Sequence, residues 1–187
     1  MQPANRRLVH TRSIRVDAYL RDDQLWDLVA SIQDVKTRDL ELQEGMRPAG
    51  AALHDMTLTV TIDAGMTIVA VDARTDAAPF NEDCKSFPEV YQALVGLNLL
   101  QKFHAAVRER LGGALGCTHI TELTAVLPTV AIQAFAGEVS RPDKKDGAMP
   151  LHLNRCRALR LDGPVVARHY PRWYAGQTIA QKRGEQA

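Results

Sequence analysis

The chain has 187 residues, 45% of them apolar and 24% charged, which suits one globular domain with a real core and excludes a disordered chain. A formal net charge of +1 lacks the basic excess of a nucleic-acid binder, and no apolar run approaches the roughly 20 residues of a transmembrane helix. Met1 to Arg12 has no apolar h-region of a secretory signal, and the sparse, odd set Cys84, Cys117 and Cys156 is no disulfide framework, so the expected setting is cytoplasmic and reducing, with free thiols.

The first half reads as strands. From His10 to Arg21 the residues alternate, with His10, Arg12, Ile14, Val16, Ala18 and Leu20 on one face. Arg21 to Gln24 is a turn, and Leu25 to Leu42 alternates again with Trp26, Leu28, Ala30 and Ile32 inward. Gly45 to Gly50 is expected to be a loop. Leu53 to Ile62 and Met66 to Ala73 flank Asp63-Ala64-Gly65, a tight-turn sequence.

The second half reads as helices. Ser86-Phe87-Pro88-Glu89 has the capping-box pattern, and Asn98-Leu99-Leu100-Gln101 has it again after a break at Gly96, giving a helix to Leu111 that stops at Gly112-Gly113. A third helix is predicted from an N-cap at Thr118 to about Gly137, kinked by Pro128. Gly137 to Pro150 is a polar loop, Leu161 to Tyr170 a last edge strand, and residues 175–187 a polar, mobile tail. The fold class is α+β: one domain over residues 8–174, an antiparallel sheet of about four or five strands, and three helices packed on one face.

Three places combine groups that do chemistry. His54 lies on the core face of its strand with Met56, Leu58, Val60 and Ile62. A histidine there is either a hydrogen-bonded core residue or a functional base. Gly116-Cys117-Thr118-His119 opens the third helix, where the dipole favours an anion or thiolate; the same residues also fit ordinary helix-start chemistry. His10 and Arg12 lie on the inward face of the first strand. An inward arginine needs a carboxylate, from a substrate or from the protein, and Asp34 is the expected structural partner. His54, Cys84, Cys117 and His119 are all zinc or iron ligand types, although their spacing is that of no zinc finger or ribbon.

His10-Thr11-Arg12, His54-Asp55-Met56, Ala78-Pro79-Phe80 before Cys84, and Gly116-Cys117-Thr118-His119 together resemble an uncharacterised bacterial family of unknown function over about residues 8–174. That resemblance implies an enzyme acting on aromatic or lignin-derived acids. The order of His54 with Asp55, Cys84, and Cys117 with His119 is also similar to iron–sulfur scaffolds of the NifU type, with His54 in place of a cysteine and a different local order at Cys117 and His119.

The leading expectation is a small-molecule enzyme using acid–base chemistry, such as a lyase releasing formaldehyde by retro-aldol cleavage. His54 or His119 is the base, Asp55 orients it, Arg12 and His10 bind an anionic substrate group, and backbone N–H groups at Thr118 and His119 stabilise developing negative charge. Cys117 as a nucleophile would give hydrolase chemistry instead. The alternative is a zinc- or iron-binding protein using His54, Cys84, Cys117 and His119. A partner subunit or homodimer is compatible with the exposed strand edges.

Overall fold

The computed structural model describes residues 4–86, 88–138 and 149–176. The chain divides into two compact units, residues 1–131 and 132–187.

The first unit is built on a four-stranded antiparallel sheet in the order β1 (His10–Leu20), β2 (Trp26–Lys36), β5 (Ala52–Ile62), β6 (Ile68–Ala77). The expected α+β class and antiparallel sheet are present. Alternation decides what each face does: Trp26, Leu28, Ala30 and Ile32 of β2 and Met56, Leu58, Val60 and Ile62 of β5 are buried, each contributing about 1.5–3 kcal/mol where a large aliphatic side chain leaves water. The other face carries Ser31, Gln33, Asp55, Thr57 and Thr59, polar or β-branched residues suited to a pleated, part-exposed surface. Helices pack on part of the sheet: α3 (Thr118–Leu123) lies against the inner strands β2 and β5, and the 3-10 helix Pro88–Leu94 lies against the edge strand β6.

Several boundaries differ from the expected ones, each for a local reason. The run from Leu25 to Leu42 breaks after Lys36, where the Thr37 hydroxyl donates to the Leu8 carbonyl and Asp39 accepts from the Ala49 N–H. Its last residues, Leu40–Leu42 (β3), pair with Gly45–Arg47 (β4), so half of the expected 45–50 loop is a short second hairpin. The turn after β5 is tied by Asp63, whose Oδ1 accepts from Gly65 and Thr67. Met66, not Gly65, takes the left-handed backbone there (φ 68°), with its side chain buried. β6 therefore starts two residues late and runs to Ala77.

The helices are shorter than their capping signals suggest. Ser86 donates to the Asp83 carbonyl at the end of α1 (Asn81–Lys85), and the helix expected after it is the 3-10 helix that begins at Pro88; Phe87 of that motif lies outside the described residues. Asn98 Oδ1 accepts from Leu100 N–H in a local turn, and α2 begins only at Phe103 (Phe103–Leu111). α2 stops at Gly112 as expected. The N-cap position of α3 is held by Cys117, not Thr118. The predicted long helix is in fact α3, a 3-10 turn at Thr124–Val126, and α4 (Leu127–Phe135). Pro128 sits in the first turn of α4, where a missing N–H costs nothing, so it starts a helix where a kink was expected.

The second unit begins within α4. Its expected edge strand over residues 161–170 is instead α5 (Pro164–His169), with Gly163 at the N-cap position and Pro164 at the first helical residue, where its fixed φ is preorganised for helix. His152 Nε2 lies 3.2 Å from the Tyr170 hydroxyl, and Arg172 lies over the Trp173 ring. Most of the expected polar loop, residues 139–148, and most of the tail, residues 177–187, lie outside the described residues.

Candidate functional site

Strand register assembles the core of the site. Arg12 of β1 pairs with Asp34 of β2, and Asp34 pairs with His54 of β5, so three chemically active side chains form one row across three strands on the apolar face. A β-bulge follows at Asp34/Val35, at the end of the sheet where that face meets α3. His10 stands two residues before Arg12 on the same face. His119, the second residue of α3, closes the group from above: its ring stacks on that of His54 with centroids 3.8 Å apart and planes 29° apart.

Asp34 is the centre of this arrangement and is only 1% exposed. A carboxylate has room for about four hydrogen bonds, and Asp34 makes three, with His10 in close approach beside them. Oδ1 accepts from Arg12 Nε at 2.9 Å and lies 3.1 Å from His10 Nε2. Oδ2 accepts from the second Arg12 nitrogen at 2.7 Å and lies 3.0 Å from His54 Nδ1. The bidentate Arg12 fork is the main reason the Asp34 carboxyl is held at about 2, below its usual 3.8. An ionised Asp34 can only accept, so the proton of neutral His54 must sit on Nδ1, leaving Nε2 with a free lone pair. The Nδ1 of His10 is buried with no hydrogen-bond partner. His119 Nε2 is 3.6 Å from Asp34 Oδ2, too far for a hydrogen bond, and its Nδ1 faces Cys117 Sγ at 3.9 Å. Burial, above all, pushes both His54 and His119 below the ordinary histidine value; for His54 the neighbouring His119 adds to this, for His119 the Arg12 guanidinium does. Both are therefore neutral imidazoles at neutral pH.

Arg12 bridges the buried and open sides. Its third nitrogen donates to Glu122 Oε2 at 2.6 Å, from the exposed flank of α3, and its side chain keeps 34% of its surface in water.

The start of α3 is fixed from below by Tyr91, which is fully buried. No side chain of the chain's own turn caps this helix. Instead the Tyr91 hydroxyl accepts from Cys117 N–H at 2.9 Å and lies 3.0 Å from the Cys117 carbonyl. Gly116 makes this approach possible: a Cβ there would stand 3.0 Å from the Leu111 carbonyl and 3.3 Å from the Tyr91 hydroxyl.

Of the residues singled out in the sequence, His10, Arg12, His54 and His119 converge, with Cys117 beside them and its thiol 3.8 Å from the Met56 sulfur. Asp55 points to the other face of the sheet, where it accepts from Gln33. Asp34 takes the place beside His54 that Asp55 was expected to fill. Cys84 lines a separate cavity under β6. Among the described residues, the side chains whose ligand atoms converge closely enough for a metal are Asp34, His54 and His119, all within 4.8 Å of one another, and neither cysteine is in that set.

The Asp34 shift fixes a pH dependence. A carboxyl whose folded pKa is depressed stabilises the fold above its unfolded value and loses that contribution as pH falls through the folded value. From 3.8 down to about 2, at about 1.4 kcal/mol per unit, Asp34 should forfeit about 2 kcal/mol. Urea unfolding at pH 5 and pH 2 should show this loss, and Asp34→Asn should remove it from the difference. An identical acid loss in that variant would refute the assignment.

A family model described as Protein of unknown function (DUF2889) matches residues 10–133, well over half of the chain and all of the converging residues. No curated protein and no solved structure matches. Among the described residues, no helix is long and apolar enough to cross a membrane.

Proposed function

The chain belongs to that family of unknown function, and from this premise we propose that it is a small-molecule enzyme using acid–base chemistry, most simply a lyase acting on an aromatic or carboxylated substrate. One observation carries the reading: a buried, ionised Asp34 holds neutral His54 by Nδ1, which aims a basic Nε2 and stabilises the imidazolium that forms when it takes a proton. Formaldehyde release by retro-aldol cleavage is a concrete member of the class. His54 Nε2 takes the proton of a hydroxymethyl group, the C–C bond breaks to give formaldehyde, and the electron pair left on carbon takes a proton back from the imidazolium. Arg12, one third exposed and with donors to spare, binds an anionic group of the substrate. His119 packs the His54 ring in place.

A second reading rests on the convergence of Asp34, His54 and His119, a 2-His-1-carboxylate set that suits zinc or iron. It is the weaker one. The Asp34 oxygens already accept from Arg12 and face His54, so a metal must compete with these partners. Imidazole rings stacked 29° apart also do not aim both lone pairs at one point about 2 Å away.

The test is to measure metal content by plasma mass spectrometry on untagged protein purified without chelator. The same sample is then screened for aldehyde release from hydroxymethyl-bearing phenolic acids. Turnover by metal-free protein supports the acid–base reading. Turnover that disappears with chelator and returns with one equivalent of zinc or iron transfers the chemistry to the metal.

A further inference from the structure

A cavity of about 220 Å³ opens under the edge strand β6. None of its walls belongs to the Asp34 cluster. Ala73, Arg74 and Thr75 come from β6, Cys84 and Lys85 from α1, Pro88 and Tyr91 from the 3-10 helix, and Ile120 from α3. The walls divide by chemistry. Ala73, Pro88, Ile120 and the Tyr91 ring are apolar, and the Tyr91 hydroxyl is already engaged by the Cys117 backbone and Thr121. Lys85 is exposed and forms no ion pair among the described residues, whereas Arg74, the other cation in the wall, is already paired with Asp76. An apolar cavity of about 150 Å³ holds benzene, whereas drug-sized ligands take about 300 Å³ or more. The space therefore suits one ring with a single polar substituent.

We propose that this cavity is a binding site for a small organic carboxylate, its apolar body against Ala73, Pro88, Tyr91 and Ile120 and its carboxylate on Lys85. The site is independent of the acid–base reading of the histidines. It would nevertheless act on them. Tyr91 and Ile120 tie the cavity to the start of α3, and a ligand packed on both holds the segment that carries His119.

Cys84, half-buried in the wall, is a built-in reporter. The full chain is alkylated with iodoacetamide, and each cysteine is followed by peptide mass mapping, with benzoate as probe and benzyl alcohol as its neutral counterpart. Benzoate at about ten times its Kd should slow alkylation of Cys84 about tenfold by mass action and leave exposed Cys156 unchanged. Benzyl alcohol should protect less. Lys85→Met, an exposed change that the fold tolerates, should erase the advantage of benzoate over benzyl alcohol, and Ala73→Leu should fill the cavity and remove protection by both. Failure of benzoate to protect Cys84, equal protection of Cys156, or undiminished benzoate preference in Lys85→Met would each overturn the proposal.

Discussion

Asp34→Asn should lower the unfolding free energy by about 3 kcal/mol, the low end of the range for breaking a buried charge pair. Three hydrogen bonds and the close approach of His10 converge on this carboxylate. An asparagine accepts through one oxygen and presents its own N–H groups to the rest, so Arg12 and a histidine lose their partners at a buried point. The low end applies because Arg12 keeps Glu122 and one third of its surface in water. For a chain of this length the midpoint of thermal unfolding should fall by about 6–12 °C. On activity the effect should be larger. Without an acceptor at Nδ1, His54 is free to carry its proton on Nε2, where it can no longer serve as a base. The corresponding Asp→Asn change in the serine-protease triad lowers kcat by about 10⁴, and a loss of about 10³–10⁴ is the expectation here. A variant that melts like wild type, or turns over within tenfold of it, would show that Asp34 neither anchors the row nor orients the base.

His54→Ala and His119→Ala should each fold and should each lower turnover, His54→Ala by about 10²–10⁴ as befits a general base. Circular dichroism and thermal melting establish the fold. Two further readouts separate a base from a packing residue. Added imidazole should partly restore His54→Ala, because the vacated space sits beside an intact Asp34. The acid limb of the wild-type pH–rate profile should lie below the ordinary histidine range, since burial disfavours the imidazolium of His54 and turnover persists until that group is protonated. Wild-type activity in both variants would sink the assignment.

Much of the site could be read from alternation alone. His10, Arg12 and His54 stand out because they interrupt apolar faces, and Asp34 follows Trp26, Leu28, Ala30 and Ile32 at the same period of two. That signal names Asp34 as the partner of Arg12. Its second role, beside His54, needed the register between β2 and β5, which no single-strand pattern contains. Asp55 is adjacent to His54 in sequence and opposite in space, the ordinary consequence of the pleat. Cys84 and Cys117 share a residue type with the metal-ligand pattern, but only tertiary placement sends one into a separate cavity and sets the other beside His119. The helix starts failed differently. Asn98 does make the local hydrogen bond that a capping residue makes but spends it on a turn, while Ser86 donates back to the Asp83 carbonyl. Tyr91, which holds Cys117, has no local sequence signature, because its partner lies 26 residues away.

The row Arg12–Asp34–His54 has a further consequence. Each member comes from a different strand, and His119 arrives from a helix more than 60 residues beyond the last of them. A slip of a single residue between β1 and β2, or between β2 and β5, would turn one member of the row to the water-facing side. No fragment and no half-registered intermediate can then display even a weakened version of the constellation, and contacts this distant in sequence form slowly. During refolding the polar centre should emerge in one step with the completed sheet, which makes the Asp34–His54 contact a stringent sign that the chain has reached its native alignment.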